Sequence, residues 1–379
     1  MKYIGAVFLL LMIPFALAEP VKLWEYSDQC AAFSMSFNHD GYVGLAFGYY
    51  AELLSPGGEA LLKAPTRGIA YSSSLSDNNV LLIGTEGDWV QAFSKQGKLL
   101  WERKLRNAVV SVSISSNGSI ALAGDASGYV YLFRNGELKW DRNLGKYVWS
   151  VALDGNLVLA GSDRGVYAFD FNGRTLWSRT FNGAARKVMP AGDGVAVLVV
   201  PKNESWSELV LLSKKGSILW SRHFSGYIRS ISTDERHIAI AGTTGNVTLF
   251  SASGNVVYSV PLISYANDVA TFEGYTAVAY GRNAELIAPN GSVVWFERFN
   301  GTVYHVGFSP TGYFAVDYGS HDVQNCYSVI VGYSLTHSDV STERSHTVRT
   351  SPGYNPLAAG GILAGIILLG VLLWLQRKL

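Results

Sequence analysis

Serine recurs at one position near the start of successive short apolar segments, and Lys187, Asp268 and His305 replace it in three of them. We call the aligned positions a column. The column reads Ser34, Ser72, Ser111, Ser150, Lys187, Ser230, Asp268 and His305, and the position before it adds Arg186 and Arg229. A small residue is enough to pack neighbouring repeats at such a place, so we expect the charges to face water, an opposite charge or a ligand. The candidate binding residues are Arg186, Lys187, Arg229, Asp268 and His305. An anion or an acidic glycan would suit them; in the alternative, Lys187 and Asp268 only neutralise each other.

Catalytic constellations are missing from the sequence. The serines and threonines of "GTTGN" and "GDASG" fall in predicted turns between strands, whereas a hydrolase serine needs a strand-turn-helix elbow. The Gly-rich phosphate-binding motifs also need a following helix, which is not predicted. The 7 histidines show no metal-ligand spacing. We therefore predict no catalytic residue, cofactor or metal ligand.

The elements that carry the column belong to a repeat. Each unit contains a Gly followed by an aromatic anchor, as in "GRTLWSRTF" at Trp177 and "GSILWSRHF" at Trp220. The other anchors are Trp101, Trp140, Tyr258 and Trp295, with Leu62 in a degenerate copy and Trp24 in "KLWEYS" near the N-terminus. A fixed period of about 40 residues indicates a solenoid, a propeller or an array.

Four short runs fill each unit, and turns of Gly, Asn, Asp and Ser separate them, as in residues 109–143. Runs of this composition predict strands, and no window before residue 357 has helical apolar spacing. Four antiparallel strands per unit predict a propeller blade. An eighth unit begins at residue 303 and lacks a fourth strand, which the segment around Trp24 supplies. The sequence predicts an all-β, eight-bladed propeller; because Leu62 is a weak anchor, seven blades is the alternative.

The two cysteines fit this closure. Cys30 follows the N-terminal strand and Cys326 begins the third strand of the last blade. The closure would place them on neighbouring strands, so we expect a disulfide, with two free thiols as the alternative. Disulfides persist outside the cell. Two cysteines so far apart in sequence lack the clustered spacing of a zinc site.

The units resemble the repeats of pyrroloquinoline-quinone-type β-propellers. The resemblance lies in segments such as "GSDRGVYAFDFNGRTLW" and "GTEGDWVQAFSKQGKLLW". It implies a structural docking role against the next blade for the anchors Trp24, Trp101, Trp140, Trp177, Trp220, Tyr258 and Trp295. That family contains quinone-dependent dehydrogenases and proteins that only scaffold, so the fold alone does not choose between them. The dehydrogenases use adjacent cysteines, which this sequence lacks, so we do not expect an enzyme.

The ends of the chain indicate export and anchoring. Residues 1–18 are predicted to be a signal peptide, with Lys2 before an apolar run and Ala16 and Ala18 at the cleavage site; an uncleaved N-terminal anchor is the alternative. Residues 357–375 carry no charge and match the roughly 30 Å apolar core of a bilayer, so we predict one transmembrane helix. Arg377 and Lys378 predict a cytoplasmic tail at 376–379. The propeller would then span 19–335 outside the cytoplasm, above a polar Ser/Thr-rich stalk at 336–356.

Partners follow from location and charge. A net charge of +1 gives no electrostatic footprint for nucleic acid, and we expect none to bind. Candidate glycosylation sites are Asn117, Asn203, Asn246, Asn290 and Asn300. Gly361 and Gly365 would allow a weak dimer through the membrane helix. We therefore expect a cell-surface scaffold for a protein or glycan partner, with a quinoprotein-like or other enzyme that uses the channel as the alternative.

Overall fold

The computed structural model describes residues 19–322 and 326–335. The predicted signal peptide, stalk, transmembrane segment, cytoplasmic tail and dimer glycines lie outside these residues. Within them, no helix is long and apolar enough to cross a membrane.

The first half of the ring consists of four blades, each a meander of four strands. Blade one comprises β2 (Ala32–Phe37), β3 (Val43–Phe47), β4 (Tyr50–Leu54) and β5 (Ala60–Pro65). Blade two comprises β6 (Ala70–Leu75), β7 (Leu81–Thr85), β8 (Trp89–Phe93) and β9 (Leu99–Lys104). Blade three comprises β10 (Val109–Ile114), β11 (Ile120–Asp125), β12 (Tyr129–Arg134) and β13 (Glu137–Asn143). Blade four comprises β14 (Val148–Asp154), β15 (Leu157–Ser162), β16 (Gly165–Phe169) and β17 (Thr175–Arg179).

The second half begins with three blades of the same kind. Blade five comprises β18 (Ala184–Ala191), β19 (Gly194–Val200), β20 (Trp206–Ser213) and β21 (Ile218–Ser225). Blade six comprises β22 (Ile228–Thr233), β23 (His237–Gly242), β24 (Asn246–Ser251) and β25 (Val256–Pro261). Blade seven comprises β26 (Ala266–Phe272), β27 (Tyr275–Tyr280), β28 (Asn283–Ile287) and β29 (Val293–Arg298). Blade eight combines β30 (Thr302–Phe308), β31 (Tyr313–Ser320) and β32 (Tyr327–Ser334) with β1 (Val21–Asp28).

The ring closes through β1. This strand pairs antiparallel with β32, with Val21 opposite Ser334 and Asp28 opposite Ser328. The Ala32 amide, at the start of blade one, donates to Ser328 Oγ at 3.2 Å. The prediction of eight four-stranded antiparallel blades closed by an N-terminal strand is confirmed, and the seven-bladed alternative is wrong.

Apolar residues of the second and third strands form the core between the blades. Those strands are buried along most of their length because both of their faces are covered, which explains runs such as "LLIGT" in β7. Eight buried clusters fill the eight seams. At the closing seam, Tyr26 and Ile330 of blade eight pack with Phe47 of blade one. Each blade therefore depends on both neighbours, and the two chain ends are held in one sheet.

Candidate functional site

The aromatic anchors lie on the fourth strands and contact the next blade. The indole Nε1 of Trp24, Trp140, Trp177 and Trp220 donates to the carbonyl of Pro56, Phe171, Lys214 and Ala252, respectively. Trp101 and Tyr258 pack on Gly136 and Gly291 of the following blades, and Leu62 lies near Gly97. Trp295 has no such turn to meet, because the chain ends divide blade eight, and it contacts Phe314 and Tyr333 edge-on instead. We call these residues the outer girdle.

Gly173 shows why each anchor faces a glycine. Its φ is +77°, a backbone conformation that residues with a side chain rarely adopt. A Cβ there would lie 2.9 Å from the ring of Trp140. Arg142 Nε donates to the Gly173 carbonyl at 2.9 Å, beside the same indole. The glycine therefore allows the tight turn and the indole contact together.

A β-bulge marks the first strand of every blade. The pairing of first and second strands shifts by one residue at a single place, so one side chain leaves the ladder. The bulged residues are Phe33, Tyr71, Val110, Trp149, Arg186, Arg229, Asn267 and Tyr304, and we call them the bulge ring. They lie at the end of the blades that carries the turns between second and third strands, around the mouth of the central channel.

Aromatic side chains form one arc of the bulge ring. The rings of Phe33 and Tyr71 are stacked with centroids 6.3 Å apart. Tyr304 stacks on His321 at 3.6 Å, and His321 lies 6.0 Å from Phe33. Burial raises the pKa of Tyr71. Burial and the charge of His305 lower the pKa of His321 to about 4, so this arc is uncharged at neutral pH.

Arg186 begins a cationic arc. Its guanidinium carbon lies 3.9 Å from the ring centroid of Trp149, a cation–π geometry. Trp149 is itself held in place, since Nε1 donates to Asp163 Oδ1 at 2.6 Å and the Tyr147 ring lies 4.3 Å away. Arg186 Nη2 is 3.4 Å from Glu204 Oε1. The arginine is therefore held in place before any ligand arrives.

Arg229 and Lys187 extend this arc and are exposed. Arg229 Nη1 donates to the neutral Asn267 Oδ1 at 2.6 Å, and Asn267 Nδ2 donates to the Val303 carbonyl at 2.8 Å. Lys187 acts on Asp268 at longer range, as one of the charges that lower the pKa of that carboxyl. Lys187 and Arg229 thus face solvent in the mouth.

The serine column joins neighbouring blades, a role that sequence reasoning missed. Hydroxyls of one blade accept backbone N–H groups of the next blade, as in Ser73 N to Ser34 Oγ (3.2 Å) and Val188 N to Ser150 Oγ (3.2 Å). Asp268 does the same, because its Oδ2 accepts from Val306 N at 3.2 Å. Asp268 therefore faces the opposite charge of His305, as one of the expected outcomes, and it also joins two blades, a role that the sequence pattern did not predict.

Asp268 and His305 also belong to a polar group that includes the buried Asp317. Ser230 Oγ donates to Asp268 Oδ1 at 2.6 Å, and His305 Nδ1 lies 3.6 Å from Asp268 Oδ2. Burial alone would raise the pKa of Asp268, but His305, Lys187 and Ser230 lower it. Burial likewise opposes the charge on His305, yet Asp268 and Asp317 raise its pKa.

Asp317 is 0% exposed, and neither of its carboxylate oxygens has a hydrogen-bond partner among the described residues. Burial raises its pKa to about 6, although the charge of His305 and the nearby Ser328 hydroxyl, which is not in hydrogen-bonding geometry, oppose the shift. Asp268 and His305 are therefore less exposed than Lys187 and Arg229, and they contact protein groups.

The seam between blades five and six lacks the hydrogen bond of the serine column among the described residues, as does the closing seam between blades eight and one. Lys187 and Met189 stand where Ser150 of blade four and Asp268 of blade seven accept, and blade six donates elsewhere, from Ile228 N to Ser207 Oγ at 2.9 Å. The opposite face of this seam holds an open cavity of about 710 Å³ lined by Pro190, Gly192, Asp193, Thr233, Asp234, Glu235 and Arg236. None of the predicted site residues lines it.

The two cysteines are neighbours, as the predicted closure requires, and the five sequon asparagines are exposed. Cys30 follows β1 and Cys326 precedes β32, so the pairing of these strands makes the two cysteines neighbours. Both are free thiols in this structure, so the expected bridge is not formed in it. Burial raises the pKa of both, that of Cys326 to about 11 with a contribution from the charge of Cys30. The exposed sequon asparagines are Asn117, Asn203, Asn246, Asn290 and Asn300.

Sequence reasoning identified the cations of the mouth but not its aromatic arc. Phe33, Tyr71, Trp149 and Tyr304 stand in the same sequence column as Arg186, so the column could have revealed them. Glu204 and Asp317 gave no such signal, because only the folded blades bring them to the mouth. Within the described residues, no group of three His, Cys, Asp or Glu side chains is placed to hold a metal ion.

Comparisons with known proteins agree with this architecture. Residues 126–267 match the family model described as outer membrane protein assembly factor BamB, so the predicted resemblance to quinone-type repeats is confirmed there. No curated protein matches the chain in sequence.

Three solved structures share the fold. The computationally designed protein Ika8 is 14% identical with a TM-score of 0.69, and the match covers 81% of this chain and 98% of Ika8. BamB from Moraxella catarrhalis is 14% identical with a TM-score of 0.63, covering 83% and 99%. Sqt1 from Saccharomyces cerevisiae is 14% identical with a TM-score of 0.67, covering 83% and 99%. At these identities the likeness concerns the fold alone: the chain is a β-propeller whose middle blades are similar to BamB.

Proposed function

We propose that this protein is a non-catalytic binding or assembly scaffold that docks a protein partner on the mouth formed by the bulge ring. The observation that carries the proposal is the contrast within one repeat: the outer girdle is committed to blade contacts, whereas Arg229 and Lys187 of the mouth are exposed. Aromatic and arginine side chains dominate the energetics of protein interfaces. The similarity of residues 126–267 to an assembly factor supports the same class of function.

We also place the propeller on the extracytoplasmic side of a membrane, held by a single span at 357–375 with its C-terminus in the cytoplasm. The support is the uncharged segment followed by Arg377 and Lys378. Protease treatment of sealed vesicles with an epitope after Leu379 tests the orientation. We expect the epitope to be protected on the cytoplasmic side of the vesicle membrane. Digestion of the epitope would show that the span is absent or reversed.

A Cys30–Cys326 disulfide would lock the closing blade in that compartment. The support is the pairing of β1 with β32, which makes the cysteines neighbours. In the chain-entropy model, a disulfide that closes a loop this long stabilises the folded state by about 4 to 5 kcal/mol, less the free energy of any strain. Peptide mapping without reductant should recover the two cysteines as one linked pair; recovery of two free thiols from exported protein would exclude the bridge.

The docking surface is tested with a triple variant, Arg186→Ser, Lys187→Ser and Arg229→Ser. Its matched control is Lys98→Ser, Arg174→Ser and Lys215→Ser, which removes three exposed charges from turns on the opposite face. Crosslinking in native membranes, followed by mass spectrometry, identifies partners of the wild-type protein. We expect the mouth variant to lose them and the control to keep them, while cooperative thermal unfolding shows that both variants are folded. Equal crosslinking by the folded mouth variant would contradict the proposal.

A further inference from the structure

The contact between Arg186 and Glu204 crosses from the first strand of blade five to the loop between its second and third strands. Glu204 has a φ of +53°, a conformation that costs energy in a residue with a side chain. The Glu204 amide donates to the Pro201 carbonyl at 3.0 Å, so the loop turns tightly there. The tight turn brings an acidic side chain back over the mouth.

The arginine is only partly used by this glutamate. Arg186 Nη2 lies 3.4 Å from Glu204 Oε1, whereas well-formed guanidinium–carboxylate bonds measure about 2.7–2.9 Å and often come in pairs. Arg186 Nε is buried and has no hydrogen-bond partner among the described residues. A buried unused donor is costly, so a carboxylate that reached two nitrogens would bind better than Glu204 does.

The surroundings favour an acidic peptide as the ligand. The Trp149 ring lies 3.9 Å from the guanidinium carbon and covers one side of it, which limits the directions from which a carboxylate can approach. Lys187 and Arg229 lie beside it in the same two columns and are exposed, so further carboxylates would meet further cations. Across the mouth, Tyr71 and Phe33 offer stacked rings for an aromatic side chain.

We propose that Arg186, held on Trp149, is a carboxylate-binding site that Glu204 occupies in the free protein and that an acidic side chain of the protein partner takes over. This inference rests on the proposed function and specifies the chemistry of the partner: a segment that combines acidic and aromatic residues. Glu204 then acts as an internal competitor, so the affinity of the site is lower than its contacts alone would give.

The test measures binding of a fluorescein-labelled (Glu-Tyr)4 peptide to the full-length protein in detergent by fluorescence anisotropy. We expect Glu204→Gln to tighten binding at least about fivefold, because the competitor is removed while the loop keeps its shape. We expect Arg186→Gln to weaken binding about tenfold or more, the usual cost of losing a charge-assisted pair. Glu86→Gln is the matched control, since it removes one negative charge from the same face in blade two.

The outcomes separate this inference from the proposed function. Equal tightening by Glu204→Gln and Glu86→Gln would show a net-charge effect only and would overturn the competitor role. Absence of peptide binding in every variant would overturn the carboxylate site. Tighter binding of tetragalacturonate than of the peptide, with the same dependence on Arg186, would assign the site to an acidic glycan instead. If the native partner crosslinks to the mouth while Glu204→Gln has no effect, this inference fails and the scaffold function stands.

Discussion

Two tryptophans nine positions apart, Trp140 and Trp149, show how one repeat produces both a fold and a surface. Trp140 ends blade three, is 8% exposed, packs on Gly173 and donates to the Phe171 carbonyl at 3.0 Å. Trp149 begins blade four, is half-buried at the bulge, and contacts Arg186. Both touch the next blade, yet only Trp140 fills a space that the fold requires.

The outer girdle and the bulge ring differ in how much the residue type varies from blade to blade. Every girdle position is apolar and meets a glycine or a closing-blade ring, so the geometry of the seam dictates the residue. The bulge ring holds an amide, two arginines, aromatic residues and a valine at equivalent positions. A bulge frees a side chain from the ladder and re-aims it, so its type is not set by strand pairing. Variation at fixed geometry is the property expected of a binding surface.

The largest expected effect tests this pair of tryptophans directly. Trp140→Ala should lower the free energy of unfolding by about 3–5 kcal/mol, the usual cost of removing a buried aromatic side chain. Trp149→Ala, its control in the adjoining blade, should cost about 1 kcal/mol or less because the side chain is half-buried. Urea unfolding followed by tryptophan fluorescence and circular dichroism measures both. Equal losses would mean that the bulge ring is structural as well.

The second prediction concerns two carboxylates near the mouth that are expected to respond to pH in opposite directions. Burial raises the pKa of Asp317 from its ordinary value to about 6. A carboxyl with a raised pKa in the folded state stabilises the fold when protonated, and this stability is lost as pH rises from about 4 through 6. Asp317→Asn should therefore stabilise the protein above pH 6, on the order of 2 kcal/mol, with no effect below pH 4.

Asp268→Asn is the matched comparison. His305, Lys187 and Ser230 outweigh burial and hold the pKa of Asp268 below its ordinary value. The stability that the Asp268 carboxylate contributes is present above pH 4 and is lost as pH falls through its lowered pKa. Asp268→Asn should therefore destabilise the protein at neutral pH. Unfolding titrations from pH 2 to 8 compare the two variants. A loss of stability with Asp317→Asn at pH 8 would show that its carboxylate has a partner in solution.

The sequence predicted the blades because each unit repeats the same local signals. The glycine and aromatic of "GRTLWSRTF" identified the fourth strand, and the incomplete units at the two ends identified the closure through β1. Arg186 and Arg229 were found as departures from the column that neighbouring repeats share. The role of Asp268 was missed because its acceptor function depends on the Val306 amide of another blade. The acceptor and the donor lie one repeat apart, 38 residues here, so the pattern within one unit does not reveal the contact.

The smallest expected effect concerns Lys187, which replaces a serine in the column. At several other seams a hydroxyl accepts an N–H of the next blade, as Ser111 Oγ does from Val151 N at 3.1 Å. Lysine cannot accept a hydrogen bond, and Ile231 of blade six stands where Val151 stands in blade four.

Lys187→Ser should supply the missing acceptor and stabilise the protein by about 1 kcal/mol relative to Lys187→Ala, which removes the charge without providing a hydroxyl. Both variants lose the same cation from the mouth, so both should weaken binding of the acidic peptide equally. Thermal unfolding and peptide anisotropy, measured on the pair, separate the two roles of this position. If Lys187→Ser and Lys187→Ala have the same stability, the inner strands of blades five and six lie too far apart for the hydrogen bond. The backbone geometry of the seam, and not only the lysine side chain, would then prevent it.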